Sequence, residues 1–136
     1  IAFRQLDGLN SELFIDGVDF DFSLRLRKKG YKIICIPASK MEHKLGNLKK
    51  EGIKIPFYSN HAAYRRYYIT RNLILNFRRH ITNFPIFMMR NLFALIISLF
   101  VVLIIGPDRF NNFKFFLLGI CDGFMNKHGK LNSERH

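Results

Sequence analysis

"FIDGVDFDFSLRLRKKGYKIICIP", residues 14–37, carries the reading of the fold. It sets three aspartates, Asp16, Asp19 and Asp21, within six positions of a chain that holds 10 acids against 22 lysines and arginines. Val18, Phe22 and Leu26 recur at the i, i+4, i+8 spacing of one helix face. Asp16 stands where an N-cap belongs, and Asp19 follows three positions on, as in a capping box with aspartate in the last place. Arg25, Arg27, Lys28 and Lys29 load the other end, where the helix dipole favours cations. Gly30 suits the left-handed residue that closes a helix. The β-branched run that follows, ending at Pro37, reads as a strand. Helix, tight turn and strand make half of an αβ unit, so the expected fold class is α/β, with the other strands of the sheet lying elsewhere.

Working outward, 136 residues are enough for one domain with a core. The formal net charge is +12, and between Lys44 and Arg90 the only acid is Glu51. Such a field attracts anions: nucleic acid, acidic lipid or sugar-nucleotide phosphates. Cys35 and Cys121 have neither disulfide-framework nor metal spacing and read as small buried hydrophobes. The chain opens on Ile1 without a charged leader, and is expected to be a piece of something longer.

Three regions follow from the pattern. Residues 1–60 are α/β material ending in a Gly- and Pro-punctuated loop. Residues 61–83 are a basic, tyrosine-rich helix whose faces mix aromatic and cationic groups, unlike an ordinary amphipathic core helix. Residues 84–136 are an apolar tail. As a helix, residues 86–105 would span about 30 Å, the thickness of a bilayer core. Arg90 and Asn91 interrupt the run and leave 92–105 as its clean part. A second tail helix is expected to show Phe113, Phe116, Leu117, Ile120 and Phe124 on one face, with Gly129 at its end. Arg78 and Arg79, just before the apolar run, suit an anionic cytoplasmic leaflet. The tail therefore predicts membrane contact, spanning or interfacial.

Longer motifs now join up. Gly8, Glu12, "LFID" at 13–16, "VD" at 18–19, Asp21, "LRLRKKGY" and "MEHKLG" run in the order found in the second half of the catalytic domain of family 2 glycosyltransferases. After a loop come His61, "RRYYITRN" from Arg65 to Asn72, and Arg78-Arg79. The chain resembles that family over residues 4–80, most of all its bacterial rhamnosyltransferases of cell-surface polysaccharide synthesis. The resemblance implies a GT-A (Rossmann-like) catalytic domain, of which this chain would be the C-terminal part. It further implies inverting transfer of a hexose-type sugar, such as rhamnose, from a nucleotide-sugar donor to a saccharide or lipid-linked acceptor. The implied location is the cytoplasmic face of the bacterial inner membrane, with an anionic membrane surface as partner. The family's nucleotide-binding strands and acidic metal motif belong to its first half, so this portion alone is expected to turn over nothing.

Inverting transfer needs a base for the acceptor hydroxyl and positive charge for the leaving diphosphate. A carboxylate in the first turn of a helix serves the dipole or a cleft, and the resemblance assigns Asp19 as the base. Asp21 is a candidate acceptor ligand or a partner of Arg25 four residues on. Asp16 is the cap, and Glu12 a candidate acceptor contact. The resemblance makes His43 a candidate ligand of a divalent metal, Mg²⁺ or Mn²⁺, otherwise held by carboxylates outside this chain. His61, Arg65 and Arg71 are candidate substrate-binding groups, arginine because its planar fork suits phosphate. The competing reading is a non-catalytic, membrane-anchored basic scaffold. Nucleic acid is not an expected partner, since no RNP or zinc-finger motif is present and the tail is apolar.

Overall fold

The computed structural model describes residues 2–40, 63–106 and 108–131. Among the described residues the helices are α1 (Ala2–Gln5), α2 (Val18–Lys28), α3 (Ala63–His80), α4 (Pro85–Ile105) and α5 (Arg109–Phe124), with a 3₁₀ turn at Ser11–Leu13. α3 is the centre, with α5 packed along it and α4 against both.

This overturns the α/β, Rossmann-like expectation. No strand occurs among the described residues. The run after Gly30 forms no regular element, and Ile33, Ile34 and Ile36 are exposed. A strand is defined by its ladder, and no described segment offers the backbone groups of a neighbour. β-branched composition alone therefore yields exposed, irregular chain here. The helix before it ends as expected. Gly30 takes φ +85°, its N–H donates to Arg27 O at 3.0 Å, and the Tyr31 N–H donates to Leu26 O at 3.1 Å, a Schellman closure.

α3 and α5 meet through small residues. A Cβ on Gly119 would stand 2.7 Å from the Tyr67 carbonyl oxygen and 2.9 Å from Thr70 Cβ. One on Gly123 would stand 2.9 Å from Ile74 Cβ. The glycines are four apart, so they fall on one side of α5 and let the two backbones approach. This turns the expected apolar face of α5 outward. Phe116 is buried, but Phe124 is 69% exposed, and Phe113 and Leu117 are exposed too. Cys35 and Cys121 are likewise exposed rather than buried. α5 ends at Phe124, before Gly129, with Asn126 in the left-handed region at φ +58°. Gly119→Val should destabilise the fold by about 3 kcal/mol, because overpacking here meets backbone rather than a movable side chain. Leu117→Ala on the outer face should change stability by under about 0.5 kcal/mol. Urea unfolding compares the two.

The bundle buries polar groups beside its apolar ones. Arg66, Thr70, Arg71, Asn72, Asn76, His80, Asn112 and Asp122 are buried between helices. Ile86, Phe93, Phe100, Ile104 and Phe110 face out. α4 runs unbroken for 21 residues with a mean hydropathy of 2.4 over its most apolar window, only 22% of which is buried. Arg90 and Asn91 do not interrupt it. The Asn91 amide donates to Phe87 O at 2.7 Å, back onto its own helix, and the Arg90 guanidinium lies 5.5 Å from the Phe87 ring centroid.

Candidate functional site: the start of α2, held on α3

The segment leading into α2 is conformationally costly. Phe14, Asp16 and Gly17 have φ of +63°, +62° and +75°. For the two L-residues with side chains this costs about 1–2 kcal/mol each. α3 offsets the cost. The Asn72 amide nitrogen lies 2.8, 2.6 and 2.8 Å from the carbonyl oxygens of Leu13, Ile15 and Asp16, which it serves as donor. Asn76, one turn on, donates to Gly17 O at 3.1 Å. Arg65 grips the Asp16 carboxylate in a two-point fork, Nε to Oδ2 at 2.8 Å and Nη2 to Oδ1 at 2.7 Å. That hydrogen bond, chiefly, holds the Arg65 guanidinium above its ordinary pKa.

Asp16 is therefore not the cap of α2. Gly17 occupies the N-cap position, with no side-chain cap bond. Asp19, in the first turn, is exposed and has no hydrogen-bond or ionic partner among the described residues. Its carboxylate is open to solvent at the positive end of the helix dipole.

Arg71 is fully buried. Its Nη2 donates to Leu13 O at 3.0 Å, its Nη1 to Gly129 O at 2.7 Å and its Nε to Asn72 Oδ1 at 3.0 Å. The guanidinium carbon lies 5.2 Å from the ring centroids of both Tyr67 and Tyr68. Tyr67 donates to Asp122 Oδ2 at 2.9 Å, and burial pushes its phenol pKa up, which keeps the donor proton on. Tyr68 accepts from the Leu131 N–H at 2.9 Å. Glu12 is exposed and pairs with Arg79 at 2.5 Å, while its carbonyl accepts from the Gly129 N–H at 2.7 Å. Sequence reading missed Asn72 and Asn76 as ties. The signal was there: two mid-helix asparagines four apart, a residue type that disfavours helix interiors unless its amide is in use.

Asp21 lies 1% exposed between Arg25 Nε at 2.8 Å and His80 Nε2 at 2.9 Å. Burial by itself would raise its pKa. The hydrogen bonds to His80 and Arg25, with their charges, outweigh burial and hold the carboxyl below its ordinary value of 3.8. A depressed folded pKa gives stability that is present above the unfolded value and lost as pH falls through the folded one. Denaturant midpoints should thus fall as pH drops below about 4. Asp21→Asn should flatten that acid limb and lower the midpoint at neutral pH.

The two halves of the sequence pattern, "LFID-G-VD" and "RRYYITRN", are thus brought together. Arg65 and Arg71 are spent on the protein itself, Asp19 is free, and His43 and His61 lie outside the described residues. Among the described residues no group of three or more His, Cys, Asp or Glu side chains is placed to hold a metal. Asp21 and His80 are committed to each other and to Arg25, so these residues do not fit a divalent ion.

No family model and no solved structure matches the chain. Its sequence is 38% identical over 81 residues to a dTDP-rhamnosyl transferase of Shigella flexneri, an alignment covering 58% of this chain and 26% of that protein. The chain spans about a quarter of the length of the curated relative it matches. That similarity relates the chain to a glycosyltransferase.

Proposed function

We propose that the chain is the acceptor-side portion of an inverting glycosyltransferase of the family 2 type, with Asp19 as the base that takes the proton of the acceptor hydroxyl. The observation that carries this reading is the free Asp19 carboxylate at the start of α2, beside a loop that Asn72, Asn76 and Arg65 hold in a costly conformation. A base needs an open approach and a fixed position, and the loop supplies the second. The name of the Shigella relative supports dTDP-rhamnose as donor. The outward apolar residues of α4 and α5 support attachment to a membrane; its anionic cytoplasmic surface and a lipid-linked saccharide acceptor come with the transferase reading.

A chimera tests this. Residues 4–80 would replace the matching segment of the Shigella transferase, and transfer from dTDP-rhamnose would be followed with that enzyme's own acceptor. The expected product carries the rhamnosyl group with inverted anomeric configuration. A folded chimera that binds donor yet transfers nothing, or transfers with retention, overturns the assignment.

A further inference from the structure

A cavity of about 300 Å³ lies between α2, α3 and α4. Its walls are mostly apolar, with Phe20 and Leu24 from α2, Leu73 from α3, and Phe87, Ala94 and Leu95 from α4. Its volume stands at the small end of ligand sites, which leaves room for a stretch of chain and too little for a sugar nucleotide. Arg66 also lines it, buried and donating through Nη1 to Ser98 Oγ at 2.8 Å. A second polar lining group, Asn76, is unsettled. Asn76 is 4% exposed and lines the cavity, and its Oδ1 has no hydrogen-bond partner among the described residues. Its amide nitrogen is committed to Gly17 O, so the orientation of the group is fixed and the oxygen asks for a donor.

We propose that this cavity holds the first segment of the apolar chain of a glycolipid acceptor, with a hydroxyl of its sugar donating to Asn76 Oδ1. This rests on the transferase reading and gives the acceptor proposed there a binding pocket. Gly17 and Asp16 also line the cavity, so its polar corner adjoins the turn of α2 that carries Asp19. A hydroxyl held there brings the acceptor sugar beside the base. The α4 wall belongs to the helix whose other side carries the exposed Phe93, Phe100 and Ile104. A chain leaving the cavity past α4 would enter the apolar phase that those residues face. A phospholipid would fill the walls as well, but it carries no sugar to meet both Asn76 and Asp19.

The probe is a dodecyl glucoside with a diazirine in its alkyl chain, photolysed with the 136-residue chain in phosphatidylcholine discs. Binding is read without turnover, so its failure is separable from a failure of the catalytic assignment. The expected map places adducts on Leu73, Phe87 and Ala94. Excess unlabelled dodecyl glucoside should remove them, and excess phosphatidylglycerol should not. Ala94→Trp and, independently, Leu73→Trp should cut cavity labelling at least fivefold while adducts on Phe93 and Phe100 persist. Adducts confined to the outer face, equal competition by phosphatidylglycerol, or cavity labelling unchanged in both tryptophan variants would each overturn the proposal. If either variant fails to fold by circular dichroism, the map and competition on the unsubstituted chain decide it.

Discussion

Asp19→Asn, introduced into the chimera, is expected to lower turnover about a thousandfold, within the range that a positioned general base contributes. Asparagine keeps the size and the hydrogen-bonding oxygen of the side chain but cannot accept the acceptor's proton. Donor affinity should therefore be nearly unchanged, and the loss should sit in kcat. Asp19 has no partner among the described residues, so the substitution breaks no tie in the bundle and stability should hold. Asp16→Asn, three residues earlier, should behave in the opposite way. It strips the charge from the fork with Arg65, loosens the loop, and shows first as lost stability. Steady-state kinetics beside urea unfolding separate the two carboxylates. Retained turnover in Asp19→Asn would remove it as base.

Arg71→Met is expected to destabilise the fold by about 3–5 kcal/mol. Methionine fills much of the space, but the Gly129 carbonyl and the Asn72 oxygen lose their arginine donor, and the Leu13 carbonyl, still served by the Asn72 amide, loses one of its two. Leaving buried acceptors unmet costs about 1–3 kcal/mol each in the worst geometry. Two tyrosine faces lose their cation as well. Arg71→Lys should recover little, since a point charge cannot reach the same acceptors in the plane of a fork. Equilibrium unfolding of the three chains gives the ranking, arginine above lysine and lysine near or above methionine.

The helices were legible from local pattern, and so was the closure at Gly30, because both depend on residues within a turn or two. The sheet was misread for a physical reason. Residues 32–36 state a preference for extended chain, but pairing is a property of two segments, and the run alone does not reveal its missing neighbour. The face of α5 was misread for a related one. Periodicity finds the apolar stripe, whereas packing here follows closeness of approach, and Gly119 and Gly123 admit α3 where phenylalanines would hold it off. The mixed faces of α3 gave the useful warning. A helix that declines to segregate its arginines, asparagines and tyrosines is one that buries them, as Arg71, Asn72 and Tyr67 show. At the site, Asp19 could be picked out by its place in the motif. The roles of Arg65 and Arg71 could not, because their partners, Asp16 and the carbonyls of Leu13 and Gly129, lie 49 and 58 positions away.

Those separations set an order of assembly. Arg71 joins Leu13 behind it and Gly129 ahead of it, each 58 residues distant. A chain growing from the ribosome that has released α4 already contains the loop, Asp19 and the asparagines that tie them. It still lacks the carbonyl that completes the buried arginine. Until the turn after α5 emerges, Arg71 has one backbone acceptor too few and keeps its share of water. The start of α2 therefore acquires its final geometry only after the apolar helices and the turn behind α5 are out. Long-range closure of this kind slows folding, and it makes the few residues before Leu131 the timer for the site around Asp19.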